Sequence, residues 1–177
     1  TYVLTFNKSE SVFKEDESLS INENKISLVK ILIGKGTFYT QKKHNRIVNK
    51  KEAFGEVFLI DLPAIKWTLT QESKKIGEYI CYKATTMRLV ETAKGKTTKK
   101  VVAWYTPDII ASYGPKDYSG LPGLILELSE GKLFFKATKI KLNLNEMTNL
   151  KTPNKGKKVT LEEYNKIAKE IAIKARG

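Results

Sequence analysis

Short runs in which apolar and polar residues alternate occupy the chain up to about residue 145. Such runs, rich in β-branched and aromatic residues and bounded by Gly, Asn, Ser or Pro, are typical of β-strands. The pattern predicts strands at residues 2–6, 11–14, 26–33, 37–43, 46–51, 57–60, 65–70, 79–90, 99–106, 124–129 and 132–142. Glycine-containing turns at 34–36, 94–96 and 130–131 indicate hairpins, so we expect an antiparallel meander.

The last of these strands changes phase. Leu133, Phe135 and Ala137 have one parity, whereas Ile140 and Leu142 have the other. A bend or β-bulge near residues 137–139 would keep both sets on the buried side, and strongly curved sheets contain such bends. The pattern therefore predicts a curved antiparallel sheet or half-barrel.

The C-terminal part changes from alternation to helical spacing. Thr160 is typical of a helix N-cap, and Glu163 completes a capping box. One apolar stripe at helical spacing follows: Leu161, Tyr164, Ile167, Ala168, Ile171 and Ala172. We expect a helix over residues 161–175 that packs on the sheet. The alternative is a helix lying on a membrane surface, because the stripe is flanked by Lys166, Lys169, Lys174 and Arg176.

These elements predict a mainly β (α+β) fold in one domain, 1–177. The sheet would occupy residues 1–145, a basic connector 146–159 and the helix 160–176. A chain of 177 residues is long enough to bury a core of its own. No apolar run approaches the length of a transmembrane helix. The chain begins with Thr1, so we expect that a segment preceding it has been removed.

The charge is strongly positive and comes from lysine. There are 32 Lys and Arg against 19 Asp and Glu, a formal net charge of +13, and the arginines are Arg46, Arg88 and Arg176. Lysine suits general attraction to anionic surfaces, whereas base readout favours arginine, so the composition disfavours nucleic acid. The plain alternative is a solvated surface that keeps the protein soluble.

Candidate catalytic chemistry is sparse. Cys81 lies in a strand pattern and His44 is the only histidine, so we expect no catalytic nucleophile, no metal site and no cofactor. A carboxylate hydrolase would need two acids in one pocket from among Asp108, Asp117 and Glu127. Alternation around Glu127 favours a solvent-facing side chain.

The strongest candidate for a binding site is the region between the strands predicted at 99–106 and 124–129, together with the end of the first of them. Leu121 to Leu124 fit a type II turn, with positive φ at Gly123. We predict a concave mouth lined by Trp104, Tyr105, Pro107, Tyr113, Gly120, Leu121, Pro122 and Gly123. The alternative is that Trp104 belongs to the core and the prolines only direct the chain.

Six sequence blocks between residues 65 and 125 occur in a characteristic order. They are 65–67, 75–77, 79–84, 103–107, 114–115 and the hexapeptide GLPGLI at 120–125. Together they resemble the GLPGLI family of secreted or envelope-associated proteins of Gram-negative bacteria, over about residues 4 to 142. The resemblance implies a periplasmic, outer-membrane-associated or secreted protein and implies no particular activity. The extended hairpin at 90–100 and the C-terminal helix are features that it does not account for.

Three functions follow from these observations. The first is a non-enzymatic binding or accessory module for a peptide, a lipid or an outer-membrane protein. The second is the carboxylate hydrolase. The third is a lysine-rich adhesin for anionic glycans or lipid headgroups.

Overall fold

The computed structural model describes residues 1–16, 36–92, 95–143, 150 and 152–175. The strand predicted at 26–33 and parts of the turns predicted at 34–36 and 94–96 lie outside the described residues. The strands are β1 Tyr2–Phe6, β2 Glu10–Glu15, β3 Thr37–Gln41, β4 Arg46–Ala53, β5 Glu56–Leu62, β6 Thr68–Ile76, β7 Tyr79–Thr92, β8 Gly95–Thr106, β9 Leu124–Glu130, β10 Leu133–Lys136 and β11 Lys157–Thr160, and one helix, α1 Leu161–Lys174, follows.

The strands form two sheets. One has six strands in the order β1-β2-β3-β4-β5-β11, and the other has five in the order β10-β9-β8-β7-β6. Every pairing is antiparallel except that of β11, which runs parallel to β5. The predicted mainly β fold with a C-terminal helix is confirmed, and the strands are divided between two sheets that do not close.

The helix begins where its capping residues predict. The hydroxyl of Thr160 accepts a hydrogen bond from the backbone N–H of Glu163, whose carboxylate accepts one from the Thr160 N–H. Its buried Tyr164 packs with Phe58 and Ile60 of β5. The predicted packing of the helix on the sheet is therefore confirmed, and the apolar stripe is used for this contact.

Most strand boundaries differ from the sequence pattern by a few residues, and three differences are larger. β6 continues to Ile76, because its pairing with β7 is interrupted after Leu69 and resumes at Ser73. The last predicted strand ends at Lys136 and does not bend. Ala137 still donates its N–H to Leu126 O at 2.8 Å. Within the segment expected to be a basic connector, β11 adds a short strand.

The five-stranded sheet has two faces, because side chains alternate along a strand and directly paired residues share a side. We call them after two neighbouring residues of β8. The Ala103 side carries Ala84, Val101, Ala103, Tyr105 and Leu128. The Trp104 side carries Cys81, Lys83, Met87, Trp104 and Glu127. The first of these sides has its own core cluster, and part of the second packs against β1.

Candidate functional site

The segment 107–123, which joins β8 to β9, packs against both faces of the sheet. Its first part places Ile109, Ala111 and Tyr113 in the core cluster on the Trp104 side. Its second part places Tyr118 and Leu121 in the cluster on the Ala103 side. The segment therefore wraps around the sheet, and most of its side chains are buried.

This path separates the residues that we predicted to line one mouth. Trp104 and Tyr113 pack in the cluster on the Trp104 side, whereas Tyr105 and Leu121 pack in the cluster on the Ala103 side. The other four do not join either cluster; Pro107, Gly120 and Pro122 are exposed and Gly123 is buried. The structure brings the aromatic residues of the prediction together only in the pair Trp104 and Tyr113.

The GLPGLI hexapeptide is a corner held by close packing, and the predicted type II turn is wrong. Positive φ occurs at Gly120, at 92°, and Gly123 is absent from the described positive-φ glycines. The N–H of Leu124 donates to Ile109 O at 3.2 Å, outside the turn. A Cβ on Gly123 would lie 2.0 Å from the carbonyl oxygen of Thr106. Glycine is needed there because the two backbones touch.

Buried ion pairs fasten the second part of the segment to the sheet. Arg88 of β7 approaches Asp117 at 2.7 Å, and Asp117 is 2% exposed. Lys116 lies 3.4 Å from Glu130 of β9. Burial opposes the charge on Arg88, but Asp117 outweighs it and raises the pKa of the guanidinium. This half of the segment is therefore anchored by charge as well as by apolar contacts.

A second charged cluster lies on the Trp104 side. Glu127 is hydrogen-bonded to Lys74 of β6 and lies 3.4 Å from Lys136 of β10. The ammonium of Lys74 also lies 4.4 Å from the centroid of the Trp104 ring. Burial opposes ionisation of Glu127, but the two lysines outweigh it and lower the pKa of the carboxyl.

The expectation that Glu127 faces solvent is wrong, since its side chain is buried. Both faces of β9 are covered, and a bulge adds to the difference: Trp104 pairs with Glu127, but Tyr105 pairs with Ile125. The extra residue, Leu126, shares the Trp104 side with Glu127. Simple alternation along β9 therefore does not give the environment of this carboxylate, which lysines from neighbouring strands surround.

A cleft of about 440 Å³ adjoins this cluster. It lies between the β6–β7 turn and the chain that leaves β10. Its lining residues are Ile76, Gly77, Glu78, Tyr79, Leu126, Lys136, Ala137, Thr138, Lys139 and Ile140. The cleft thus combines an apolar floor with two lysines and one acid, Glu78. This combination suits a small ligand with an apolar body and a negative charge.

Cys81 and Tyr113, which lie below the cluster, are not placed for nucleophilic chemistry. The thiol is fully buried, as the strand pattern predicted, and burial raises its pKa to about 11. Burial also raises the pKa of Tyr113 to about 12. The Tyr113 hydroxyl has no hydrogen-bond partner in the described part of the chain. Both groups stay protonated at neutral pH.

The described residues include neither a candidate metal site nor a candidate membrane-spanning helix. Among these residues, no group of three or more His, Cys, Asp and Glu side chains could hold a metal ion. The one helix of that part of the chain is too short and too polar to cross a membrane.

Arg88, Lys74 and Lys136 were absent from the predicted site. A signal for Arg88 existed, because it has the same parity as the buried Ala84 along β7. A rare arginine at an interior position indicates a buried acid nearby. A signal for Lys136 also existed, because it faces Glu127 across the hairpin whose turn was predicted at 130–131. No local pattern identifies Lys74, since it meets Glu127 only after β6 has joined the sheet.

Comparison with known proteins gives a partial match to a family of unknown function and a fold shared with solved structures. Residues 67–100 and 91–127 match a family model described as "Protein of unknown function (Porph_ging)". The match extends from β6 to the beginning of β9 and includes the ion pair of Arg88 and Asp117. It covers about a third of the chain. No curated protein sequence matches the chain.

Two solved structures of PNGF-II resemble this fold. The structure in space group C2 has a TM-score of 0.58 and the one in P21 a TM-score of 0.51, both at 14% identity. The alignments cover 94% of this chain but only 29% and 28% of those chains. The chain therefore spans less than a third of the length of PNGF-II, and this similarity shows the fold.

Proposed function

We propose that this chain is a non-enzymatic binding module that holds a peptide or a lipid by its apolar body and anionic end. The observation that supports the proposal is the cleft beside Glu127. Its apolar lining includes Ile76, Leu126 and Ile140, and Lys139 supplies a cation at its rim. Sites of this kind bind small ligands by apolar contact and fix their orientation with a few charged groups.

The charge balance of the cleft favours an anionic ligand group. Lys136 already faces Glu127, whose carboxylate also accepts from Lys74. Three lysines, Lys74, Lys136 and Lys139, thus face two acids, Glu127 and Glu78, which leaves one positive charge in excess. A carboxylate or phosphate at the ligand end would complete the pairing of these cations.

The geometry gives the hydrolase alternative less support. A carboxylate pair needs one acid that retains its proton near neutral pH. Glu127, the acid in the most apolar setting, has a lowered pKa because Lys74 and Lys136 outweigh its burial. It therefore stays ionised and does not fit the role of proton donor.

Ligand-displacement measurements test the binding proposal. We expect the purified chain to bind either an environment-sensitive fluorescent fatty acid or a fluorescently labelled apolar peptide with a free C-terminal carboxylate. Displacement by unlabelled fatty acid or unlabelled peptide separates the lipid and peptide alternatives. Thr138→Trp fills the rim of the cleft and should abolish binding.

The matched control is Ser73→Trp, an equally exposed position whose partner Tyr82 lies on the Ala103 side. This variant should bind as the unsubstituted chain does. Equal loss in both variants, or no binding of either probe, would contradict the proposed cleft. Lys139→Gln should weaken binding of the charged probe but not of its methyl ester.

The cellular location is a separate part of the proposal. The GLPGLI resemblance of the sequence blocks supports export to the periplasm, the outer membrane or the medium, where an outer-membrane protein is the proposed partner. Fractionation of cells that produce the full-length protein, followed by crosslinking of the envelope fraction, tests it. Recovery in the cytosolic fraction alone would contradict export.

A further inference from the structure

The Trp104 side also carries three exposed apolar side chains that do not line the cleft. Met87 and Leu89 of β7 are 61% and 62% exposed, and Phe134 of β10 is 63% exposed. Along β7, Met87 and Leu89 have the same parity as Cys81, so they lie on the Trp104 side. Phe134 pairs with Ser129, which pairs with Val102, a residue of the same parity as Trp104 along β8. The three apolar side chains therefore point from the same face, across four adjacent strands.

Lysines accompany these side chains on the same face. Lys100 pairs directly with Met87, and it is exposed. Lys136 lies two residues beyond Phe134 on β10 and is 54% exposed. This face therefore presents both apolar and cationic side chains. Such a face is suited to contact a surface whose outer layer is negatively charged and whose inner layer is apolar.

Negative charge on this face is largely neutralised. Glu127 is buried between two lysines, and Glu72, across the edge of the sheet, accepts from Lys83. The chain as a whole carries a formal net charge of +13. The partner of this face is therefore expected to be anionic.

We propose that the Trp104 side docks on a membrane surface that contains anionic lipids. Met87, Leu89 and Phe134 enter the boundary between headgroups and acyl chains, and Lys100 contacts the headgroups. A membrane fits better than a polysaccharide because Met87 and Leu89, two of the three exposed apolar side chains, are aliphatic and offer no ring on which a sugar could stack. This proposal does not depend on the ligand of the cleft.

The helix does not supply this surface. Its apolar stripe faces β5: Tyr164 is buried there, and Leu161, Ile167 and Ala168 are partly buried against the same cluster. Those four side chains are therefore engaged with the sheet. The exposed face of the sheet instead combines apolar side chains with lysines. It thus provides the membrane contact that the sequence pattern suggested for the helix.

Vesicle co-sedimentation tests the proposal. We expect the full chain to bind vesicles of phosphatidylcholine mixed with phosphatidylglycerol, and to bind pure phosphatidylcholine vesicles at least about tenfold more weakly. High salt should weaken binding to the mixed vesicles, because it screens the lysines. The variant Met87→Ser/Leu89→Ser should lose about tenfold in affinity.

Matched controls come from the opposite face of the same sheet. Leu69 and Ile80 are 53% and 55% exposed and lie on the Ala103 side, so Leu69→Ser/Ile80→Ser should leave binding unchanged. Lys100→Glu should weaken binding, and Lys75→Glu, opposite Ile80, should weaken it less. Circular dichroism establishes that each variant is folded.

Four results would overturn the proposal. These are no binding to the mixed vesicles, equal binding to pure phosphatidylcholine, equal loss in both double serine variants, and binding of soluble heparin without vesicle binding. The last result would assign the lysines to an acidic polysaccharide.

Discussion

Two buried carboxylates on opposite sides of one sheet show how similar ion pairs can serve different purposes. Asp117, on the Ala103 side, is 2% exposed and paired with Arg88, whose side chain is 24% exposed. Glu127, on the Trp104 side, is 9% exposed, but its partners Lys74 and Lys136 are 38% and 54% exposed. The first pair fastens a covering segment to the sheet. The second remains within reach of solvent, in agreement with the binding proposed above for the Trp104 side.

Removing Arg88 is the strongest test of this contrast. Arg88→Met leaves Asp117 buried without its cation, which should lower the free energy of unfolding by about 3–5 kcal/mol. Urea denaturation measures the loss. The matched control is Arg46→Met, which breaks an ion pair with Asp61 whose side chains are 40% and 43% exposed. That change should cost less than about 1 kcal/mol, and equal costs would remove the distinction between anchoring and surface pairs.

The glycines of the hexapeptide separate close packing from backbone freedom. Gly123→Ala would place a Cβ 2.0 Å from Thr106 O, and the required shift should cost about 3 kcal/mol. Gly120→Ala meets nothing within 4 Å, so it should cost only about 1–2 kcal/mol, through its positive φ. Thermal unfolding of both variants measures the difference. A larger cost at Gly120 would return the hexapeptide to a turn-based explanation.

Sequence patterns predicted the features of this molecule that depend on neighbouring residues. The capping box at Thr160 and Glu163 and the buried Cys81 could be recognised locally, and both are confirmed. The environment of Glu127 could not be recognised locally, because a bulge changes the phase of β9 and the lysines come from β6 and β10. The type II turn failed for the same reason, since the Leu124 N–H bonds to Ile109 instead of within the turn.

The acid dependence of Glu127 is expected to be smaller than the loss at Arg88. Glu127→Gln should cost about 2 kcal/mol at neutral pH, because it weakens hydrogen bonds from charged lysines. The pKa of Glu127 is lower in the folded chain than the ordinary value of 4.5. Its contribution is therefore complete above pH 4.5 and is lost as the pH falls through the folded-state pKa.

Thermal melts of Glu127→Gln and the unsubstituted chain across this range measure that contribution. The difference between them should shrink on acidification below pH 4.5, because the unsubstituted carboxyl becomes protonated. A difference that stays constant into acid would show that the two lysines do not hold the carboxylate in its ionised form.

The smallest expected effect concerns the hydroxyl of Tyr113. The ring lies 6.0 Å from that of Phe6, between the Trp104 side and β1, and only 1% of the residue is exposed. Its hydroxyl has no partner among the described residues, so it loses hydration without gaining a hydrogen bond. Tyr113→Phe should therefore leave stability unchanged or raise it by up to about 1 kcal/mol. Urea denaturation measures the change, and a loss above about 1 kcal/mol would mean that the hydroxyl is hydrogen-bonded in solution. A neutral result would show that Tyr113 contributes to the core through its ring and not through its hydroxyl.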